Sequence, residues 1–503
     1  MSKQEKPGFC TLCRSRCGTL NVVENDRLVA VQPNPAHPTG KALCPKGRAA
    51  PEIAHSARRL KTPLRRTAPK GAPDPGFVPI SWDEALSEIA ERLGRYREET
   101  GPESVAFAVT SGSSSSTSDS LDWIQRFVRG FGSPNNCFST EICNWHKDHA
   151  HAFTFGCGLP TADYRNSELI LLWGHNPANV WLAQAEAISA ARARGAKLAV
   201  IDPRLTGSAR DADLWLRIRP GTDAALALGL ARWLIVNRAY DAEFVRRWTN
   251  AAFLVRNSDG CFLRAGDIGL QGDGFLVWDE AAGRAALAAD GLAVAALEGN
   301  FEVIGPEGPI ACRTGFDHYV AAAEPYDPAT VERTTGIPAA QVEQLAATIS
   351  AAASVCYHGW TGLGQHTNAS QTERAVATLY ALTGCFDAPG GNVRMPSLPV
   401  PSLHSIAMIP LETRARTLGL SERPLGPPTD GWITSSDFYD AALTGKPYRV
   451  RALFAFGSNL LVSHPAPERG REALKALDFQ VHCDLFLNPT AEMADIMLPI
   501  SSP

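Results

Sequence analysis

The amino end of the chain reads GFCTLCRSRCG (8–18), which sets Cys10, Cys13 and Cys17 within eight residues. Cys44 is the next cysteine, and 26 residues separate it from Cys17. Three thiolates this close can cover one face of an inorganic cluster, and a fourth from a returning loop completes the Cys₄ ligand set of a [4Fe–4S] cube. A structural zinc site or a group of buried thiols are the alternatives. The spacing favours the cluster and therefore predicts an electron carrier.

Length and composition limit the possible classes of protein. A chain of 503 residues predicts roughly two to four domains of about 100–200 residues each. Its 45% apolar and 20% charged residues are typical of globular proteins, and its net charge of −4 gives no reason to expect nucleic acid or an anionic membrane as a partner. No apolar run approaches the ~18 residues that a membrane span needs.

The amino end also bears on location. The first ten residues, MSKQEKPGFC, contain neither an apolar signal core nor paired arginines. We therefore expect a cytoplasmic protein. The other eight cysteines are scattered, and in a reducing compartment they are not expected to form disulfides.

Local patterns predict how the chain begins. Residues 18–34, GTLNVVENDRLVAVQPN, alternate apolar and polar side chains around Asn25-Asp26, which predicts a β-hairpin in a lobe over 1–62. Ser81 precedes WDEALSEIAERLGRYREE, whose apolar residues have helical spacing, so Ser81 should cap a helix.

The rest of the chain repeats short apolar runs followed by glycine-bearing or polar loops and helices. Such runs are typical of parallel strands that are covered on both faces. The fold class predicted is α/β, with a small N-terminal iron–sulfur lobe and two Rossmann-like, doubly wound domains. The predicted strands are VAFAV (105–109), LILLW (169–173), KLAVI (197–201), SVCYH (354–358), ALFAF (452–456) and FQVHC (479–483).

Domain boundaries follow from these runs. We expect one discontinuous α/β domain over 63–135 and 345–503, and another over 136–344. The second should contain an insertion with its own hairpins at about 253–310, which is rich in Gly, Asp and Ala.

The loops after several predicted strands are suited to a nucleotide. They read GHNP (174–177), DPRLT (202–206) and RPGTD (219–223). Glycine lets backbone approach a ligand, Asp suits ribose or amino groups, and Arg suits phosphate. Taken singly, each is also an ordinary turn or cap. No G-x-G-x-x-G follows 105–109, where Ser111-Gly112 and a serine run stand instead, so the pattern indicates a large nucleotide-bearing cofactor other than NAD.

These motifs together resemble the molybdopterin oxidoreductases of the dimethyl-sulfoxide-reductase and formate-dehydrogenase type. The resemblance covers nearly the whole chain in the family's order. It implies an oxidoreductase with one [4Fe–4S] cluster and two molybdopterin guanine dinucleotides that chelate Mo or W. Its partners would be a small-molecule substrate and a redox partner protein or electron-transfer subunit. Its motifs are C-x2-C-x3-C…C-P-K-G, W-x-x-A, G-x-N-P, D-P-R-x-T, P-G-T-D-A-A-L, G-x-x-G-x-x-Q-H (359–366) and D-L-F-x-x-P-T-A-E-x-A-D-I-x-L-P (484–499).

The resemblance also implies site residues. Lys46 would lie between the cluster and the nearer pterin and assist electron transfer. Without the resemblance, it could be an ordinary solvated lysine. Gly362 and Gln365 match pterin-contacting loop positions. Gly457, Asn459 and Asp484 lie at equivalent strand ends nearer the C-terminus. The residues implied for the guanine, ribose and phosphate groups are Gly174, Asn176, Asp202, Arg204, Thr206, Gly221, Thr222 and Asp223.

The resemblance also implies a protein ligand to the metal, at a fixed distance along the chain from a short motif. In relatives that use cysteine, it follows a G-S-P-N segment by eight residues, and Cys143 follows residues 132–135 at that offset. A thiolate suits Mo or W beside the pterin dithiolenes. Cys137 is the competing candidate, and a buried structural cysteine is the remaining alternative.

Substrate choice is less determined. Formate-oxidising relatives place His directly after the ligand, where this chain has Asn144. His146 is a candidate proton shuttle, although it and His149 could instead pack or pair with Asp148. Hydratase-like relatives with non-redox chemistry carry Asp after the second cluster cysteine, where this chain has Arg14. A catalytically silent electron-transfer subunit would not need the thiolate of Cys143.

The end of the chain sets one more expectation. It stops at IMLPISSP (496–503), where relatives continue into a domain that covers the second pterin. A fragment, a separate chain or a shortened gene would each explain this. With that domain absent, we expect residues 1–503 alone to hold the cofactors poorly.

Overall fold

The structure, a computed structural model, describes residues 3–109, 121–138, 141–143, 145–291, 294–396 and 399–501. The chain divides into two compact units. The first unit is Met1–Trp145, Val180–Glu186 and Ser397–Pro503; the second is His146–Asn179 and Ala187–Pro396.

The strands within the described residues are short. They are β1 (Lys3–Phe9), β2 (Gly18–Glu24), β3 (Arg27–Pro33), β4 (Leu64–Arg65), β5 (Val78–Pro79), β6 (Val105–Val109), β7 (Asn136–Phe138), β8 (Thr161–Ala162), β9 (Leu169–Trp173), β10 (Lys197–Ile201), β11 (Leu214–Leu216), β12 (Leu254–Arg256), β13 (Leu276–Asp279), β14 (Arg284–Leu287), β15 (Asn300–Gly305), β16 (Gly308–Thr314), β17 (Val355–Gly359), β18 (Asn392–Val393), β19 (Trp432–Ile433), β20 (Ala452–Phe456), β21 (Phe479–Asp484) and β22 (Ile496–Pro499).

The helices of the same ranges run from one turn to about five. They are α1 (Pro45–Arg48), α2 (Ala50–Ala54), α3 (Trp82–Thr100), α4 (Leu121–Phe131), α5 (Trp145–Phe155), α6 (Pro177–Val180), α7 (Leu182–Arg192), α8 (Gly207–Arg210), α9 (Asp223–Val236), α10 (Ala242–Trp248), α11 (Ala288–Gly291), α12 (Gly315–Ala323), α13 (Pro328–Thr335), α14 (Ala339–Ala351), α15 (Thr361–Gly364), α16 (Ala369–Leu382), α17 (Leu411–Arg414), α18 (Ser435–Thr444), α19 (Leu460–Ser463) and α20 (Pro467–Ala476). None that the structure describes has both the length and the apolarity that crossing a membrane requires.

The amino-terminal lobe is a three-stranded antiparallel sheet in the order β1-β2-β3. The predicted hairpin is β2–β3, and its turn residues Asn25 and Asp26 have φ angles of 50° and 61°. Two positive φ angles in succession match the two-residue turn whose twist suits a hairpin. Strand β1 was not predicted, because its side chains are mostly exposed and it therefore lacks an apolar alternation.

The second unit contains a parallel sheet in the order β11-β10-β9-β17. Leu171 and Trp173 of β9 face one buried cluster, whereas Ile170 and Leu172 face another. Both faces of this strand are therefore covered, as its continuous apolar run predicts. Between β11 and β17, the predicted insertion forms the sheet β12-β16-β15 and the hairpin β13-β14.

The first unit contains an eight-stranded sheet in the order β19-β7-β6-β20-β21-β22-β4-β5. Strands β6, β20, β21 and β22 are parallel to one another. Helix α3 packs against this sheet through Ala85, Ile89 and Leu93. Ser81 and Glu84 form a capping box at its start, as the sequence predicts.

The units differ from the predicted domain boundaries in four places. The lobe over 1–62 is not separated from the first unit, and residues 180–186 also group with that unit. Residues 136–145 group with the first unit, because β7 pairs with β6. Residues 345–396 group with the second, because β17 pairs with β9.

Candidate functional site

The four amino-terminal cysteines lie within electrostatic reach of one another. Cys10 N donates a hydrogen bond to Cys17 O at 2.8 Å. Burial raises the pKa of the Cys10 thiol, and negative charge on Cys13, Cys17 and Cys44 raises it further. Cys17 is buried and the other three are half-buried. The lobe thus gathers four thiols at one place.

The surroundings fit a cluster at these thiols. A Cβ added to Gly47 would lie 2.5 Å from Leu43 Cδ1 and 3.4 Å from Cys10 Sγ, so backbone packs directly against the thiol. In the described ranges, no three Cys, His, Asp or Glu side chains converge as they would around a single metal ion. A cube does not require this convergence, because each cysteine binds a different iron. Lys46 lies on α1 with an exposed side chain.

Two glycine loops of the second unit meet where the strand order reverses. The chain runs from β9 to β10 and β11 on one side, whereas β17 pairs on the other side of β9. Gly174, with φ of +58°, follows β9, and its carbonyl accepts a hydrogen bond from Gly362 N at 3.1 Å. A Cβ on Gly362 would lie 2.6 Å from Gly174 Cα. Such a switch point, at the carboxyl ends of parallel strands, is where open α/β sheets bind ligands.

Several predicted nucleotide residues also stabilise their own loops. Thr206 accepts a hydrogen bond from Ala209 N at 3.2 Å and caps α8. Asp202 accepts one from Arg204 N at 2.9 Å, and Asn176 accepts one from a serine hydroxyl at 3.0 Å. The side chain of Arg204 is exposed at the end of β10. These contacts position the loops and leave an exposed guanidinium suited to phosphate.

The loop before α9 completes this edge of the sheet. Gly221 has φ of +83° and approaches His366. Thr222 Oγ1 donates to a backbone carbonyl at 2.7 Å, while Gln365 is exposed. Asp223 is buried and accepts a hydrogen bond from the Trp173 indole at 2.8 Å; burial raises its pKa.

The first unit has its own switch point, between β6 and β20. Gly457 follows β20 with φ of +58°, and Asn459 Oδ1 accepts a hydrogen bond from Thr490 Oγ1 at 3.0 Å. Asp484 follows in β21 and accepts one from Asn488 Nδ2 at 2.7 Å. The serine run from Ser111 lies outside the described residues.

The two candidate metal thiols differ in exposure. Cys137 lies in β7 and is 1% exposed; burial raises its pKa well above the usual value. Cys143 lies beyond the strand and is half-buried. The geometry supports Cys143 over Cys137, because a thiolate ligand needs access to the metal. Asn144 lies outside the described residues.

His146 is held by packing. It is 6% exposed, and its Nε2 lies 3.3 Å from Trp360 O. A Cβ on Gly364 would lie 2.2 Å from its Cε1. Burial, followed by the charge of Lys147, lowers the pKa of His146 to about 3, so the imidazole stays neutral at physiological pH. These features support the packing alternative over a proton shuttle.

Two carboxyl groups, one buried and one half-buried, were not singled out from the sequence. Glu373 on α16 is fully buried, and among the described residues neither oxygen has a hydrogen-bond partner. Burial raises its pKa to about 8, and His151 Nδ1 lies 3.8 Å from it. The sequence does contain a signal for the burial of Glu373, because this residue has helical spacing to the apolar Val376 and Tyr380. The other is Glu141, whose contact with Ser435 has no signal in the sequence.

Comparisons with known proteins agree with this geometry. The family model described as "Molybdopterin oxidoreductase" matches residues 59–502, and "Molybdopterin oxidoreductase Fe4S4 domain" matches residues 4–56.

Curated relatives include a dopamine dehydroxylase from Eggerthella lenta, 27% identical over 98% of this chain and 58% of that protein. The thiosulfate reductase molybdopterin-containing subunit PhsA of Salmonella typhimurium is 26% identical over 98% and 57%. Among solved structures, an acetylene hydratase from Pelobacter acetylenicus superposes with a TM-score of 0.76 at 24% identity, over 98% of this chain and 62% of that one. The chain therefore spans a little over half the length of the relatives it matches.

Proposed function

We propose a function from one premise: the chain belongs to the molybdopterin oxidoreductase family, and its amino-terminal lobe is the Fe4S4 domain of that family. On this premise, the protein oxidises or reduces a small molecule by two electrons and exchanges electrons singly with a redox partner protein. When bound, the pterin-chelated Mo or W supplies the two-electron chemistry and the [4Fe–4S] cluster supplies the single-electron steps.

The residues of this chain then have distinct roles. Cys10, Cys13, Cys17 and Cys44 hold the cluster, and Lys46 follows the last of them on α1. The glycine loops at the two switch points bind the pterin dinucleotides through backbone. Cys143 ligates the metal, since its thiol is the more accessible of the two candidates.

The gathered thiols of the amino-terminal lobe are the observation that carries this proposal. The test is to purify the chain anaerobically and measure iron, Mo and W, together with the low-temperature paramagnetic signal after reduction. We expect about four iron atoms per chain and a cluster signal. A screen of small molecules with an artificial electron dye then identifies the substrate class. Protein without iron or signal would contradict the proposal.

A second candidate, non-redox hydration at the same metal site, is favoured by one observation. An acetylene hydratase from Syntrophotalea acetylenica is 26% identical over 98% of this chain. Arg14 after the second cluster cysteine counts against it, as Asn144 counts against formate as the substrate. Product formation that needs no electron acceptor would favour hydration, whereas strict dependence on the dye favours the oxidoreductase.

We also propose a cytoplasmic location. None of the twelve cysteines, which all lie in the described part of the chain, forms a disulfide with another, as is usual in a reducing compartment. Localisation of the tagged protein by cell fractionation is the measurement.

A further inference from the structure

Glu141 lies two residues before Cys143 and contacts a residue 294 positions later in the chain. Its Oε2 accepts a hydrogen bond from Ser435 N at 2.8 Å, and its Oε1 accepts one from Ser435 Oγ at 2.9 Å. Ser435 is fully buried, and the Glu141 side chain is 13% exposed. Two donors of one residue therefore match both oxygens of one carboxylate.

The surface that receives Glu141 is well packed. Ser435 is the first residue of α18, whose N-cap Thr434 forms a capping box with Asp437. Phe438 of the same helix is fully buried in the core of the first unit. His464 Nε2 lies 3.6 Å from Glu141 Oε1, and its ring bonds to a serine hydroxyl at 3.0 Å. The carboxylate is thus held by an element that is itself fixed.

We propose that Glu141 is a positioning residue, whose two hydrogen bonds to Ser435 hold the segment that presents the thiol of Cys143 to the metal. This inference rests on the proposed ligand role of Cys143. A ligand on an anchored backbone loses less freedom on binding, and loss of a residue that orients a ligand typically lowers metal affinity or activity by about 10–100-fold. The reach of the Glu141 side chain matters here, more than its charge.

Three substitutions separate reach from charge. Glu141→Ala removes both acceptors. Glu141→Asp keeps the charge but shortens the side chain by one methylene, so that it no longer reaches Ser435. Glu141→Gln keeps the length, accepts from Ser435 N through its carbonyl and can donate to Ser435 Oγ through its amide.

The readout is the number of sulfur neighbours of the bound metal, counted by X-ray absorption at the Mo or W edge, which reports only on the molecules that carry the metal. We expect Cys143→Ala to lose one sulfur in all molecules. Glu141→Ala and Glu141→Asp should lose it in a large fraction of molecules, whereas Glu141→Gln should match the parent. Glu412→Ala, which changes an exposed carboxyl on α17, is the matched control and should also match the parent.

The opposite results are equally specific. A complete sulfur shell in Glu141→Ala and Glu141→Asp, with loss in Cys143→Ala, would overturn the role of Glu141 alone. A complete shell in Cys143→Ala would overturn the ligand assignment and this inference together. Iron content is measured in each variant as a check of folding.

A second variant keeps the proposal testable if Glu141→Ala folds poorly. Ser435→Ala removes one donor and keeps the carboxylate, so it should lose the sulfur in a smaller fraction of molecules. A complete sulfur shell in Ser435→Ala would overturn the role of Glu141.

Discussion

Cys143 and Cys137 differ in a property that decides metal binding, the access of the thiol to solvent. Cys137 is 1% exposed in β7, and burial raises its pKa, which keeps it protonated. Cys143 is half-buried beyond the strand. A thiolate that must reach a cofactor is therefore expected at Cys143 rather than at Cys137.

The substitution Cys143→Ala should therefore abolish turnover and leave the cluster intact. The reason is that Cys143 is the proposed ligand of the catalytic metal and is not among the four cysteines proposed to hold the cluster. Activity in the dye assay and iron content per chain are the two measurements. Cys137→Ala, the matched control, should retain activity. Unchanged turnover in Cys143→Ala would move the ligand to Cys137 or away from cysteine.

Glu373 provides a prediction on pH. Burial raises its pKa to about 8 from an ordinary value of 4.5, the charge of Lys147 lowers it, and those of Asp148 and Asp223 raise it. The folded state therefore favours the neutral carboxyl. The stability that this gives is fully present below pH ~4.5 and is lost as the pH rises to about 8, at about 1.4 kcal/mol for each pH unit.

Glu373→Gln should remove this loss, because the amide does not ionise. Relative to the parent, the variant should gain in free energy of unfolding between pH 5 and pH 8, measured by thermal or urea unfolding at several pH values. Glu343→Gln, the same change at an exposed position of α14, should show no such trend. A pH-independent difference between the parent and Glu373→Gln would refute the burial argument.

At the scale of elements, the contact between the loops after β9 and β17 limits side-chain size. An added Cβ at Gly362 would lie 2.6 Å from Gly174 Cα and 2.7 Å from Gly174 O, and these are backbone atoms that cannot rotate away. Glycines allow backbone to approach this closely, and a switch point is where open α/β sheets bind ligands.

The substitution Gly362→Ala should accordingly destabilise the protein by about 1–3 kcal/mol through overpacking and lower its pterin content. Gly94→Ala is the matched control. Gly94 lies inside α3 and an added Cβ there meets nothing within 4 Å, so the change should stabilise by about 0.5–1 kcal/mol. Chemical unfolding and pterin extraction measure both effects. Equal stability of Gly362→Ala and the parent would show that the loops can separate without cost.

At the scale of the molecule, the amino-terminal lobe has a small apolar core compared with the α/β sheets. Its buried cluster consists of Cys17, Val31 and Leu43, whereas the core around β9 includes more than thirty buried residues. A lobe with so little apolar surface to bury depends on its metal for order.

Removal of iron by a chelator under anaerobic conditions should therefore unfold residues 3–56 while the α/β sheets persist. Hydrogen exchange should rise across β1, β2 and β3 and stay unchanged in β9 and β20. Re-addition of iron and sulfide should restore protection. Uniform exchange throughout the chain, or no change in the lobe, would contradict this dependence.

Local pattern predicted much of this fold. The apolar runs at 169–173 and 197–201 became β9 and β10, and Ser81 became a helix cap, because these outcomes depend on residues within one strand or one turn. The exposed strand β1 lacked such a pattern. The cysteine spacing favoured an iron–sulfur lobe, since three cysteines lie within eight residues, and residues 4–56 match the Fe4S4 domain model.

The sequence by itself determined the thiol lobe, the buried strands, the covered α/β sheets and the family. Only the tertiary structure decided that Gly174 meets Gly362, that Glu141 reaches Ser435 and that Glu373 is fully buried. The physical reason is distance along the chain. Spacing patterns report on neighbours within a few residues, whereas these contacts join segments that strand order and helix packing bring together from far apart.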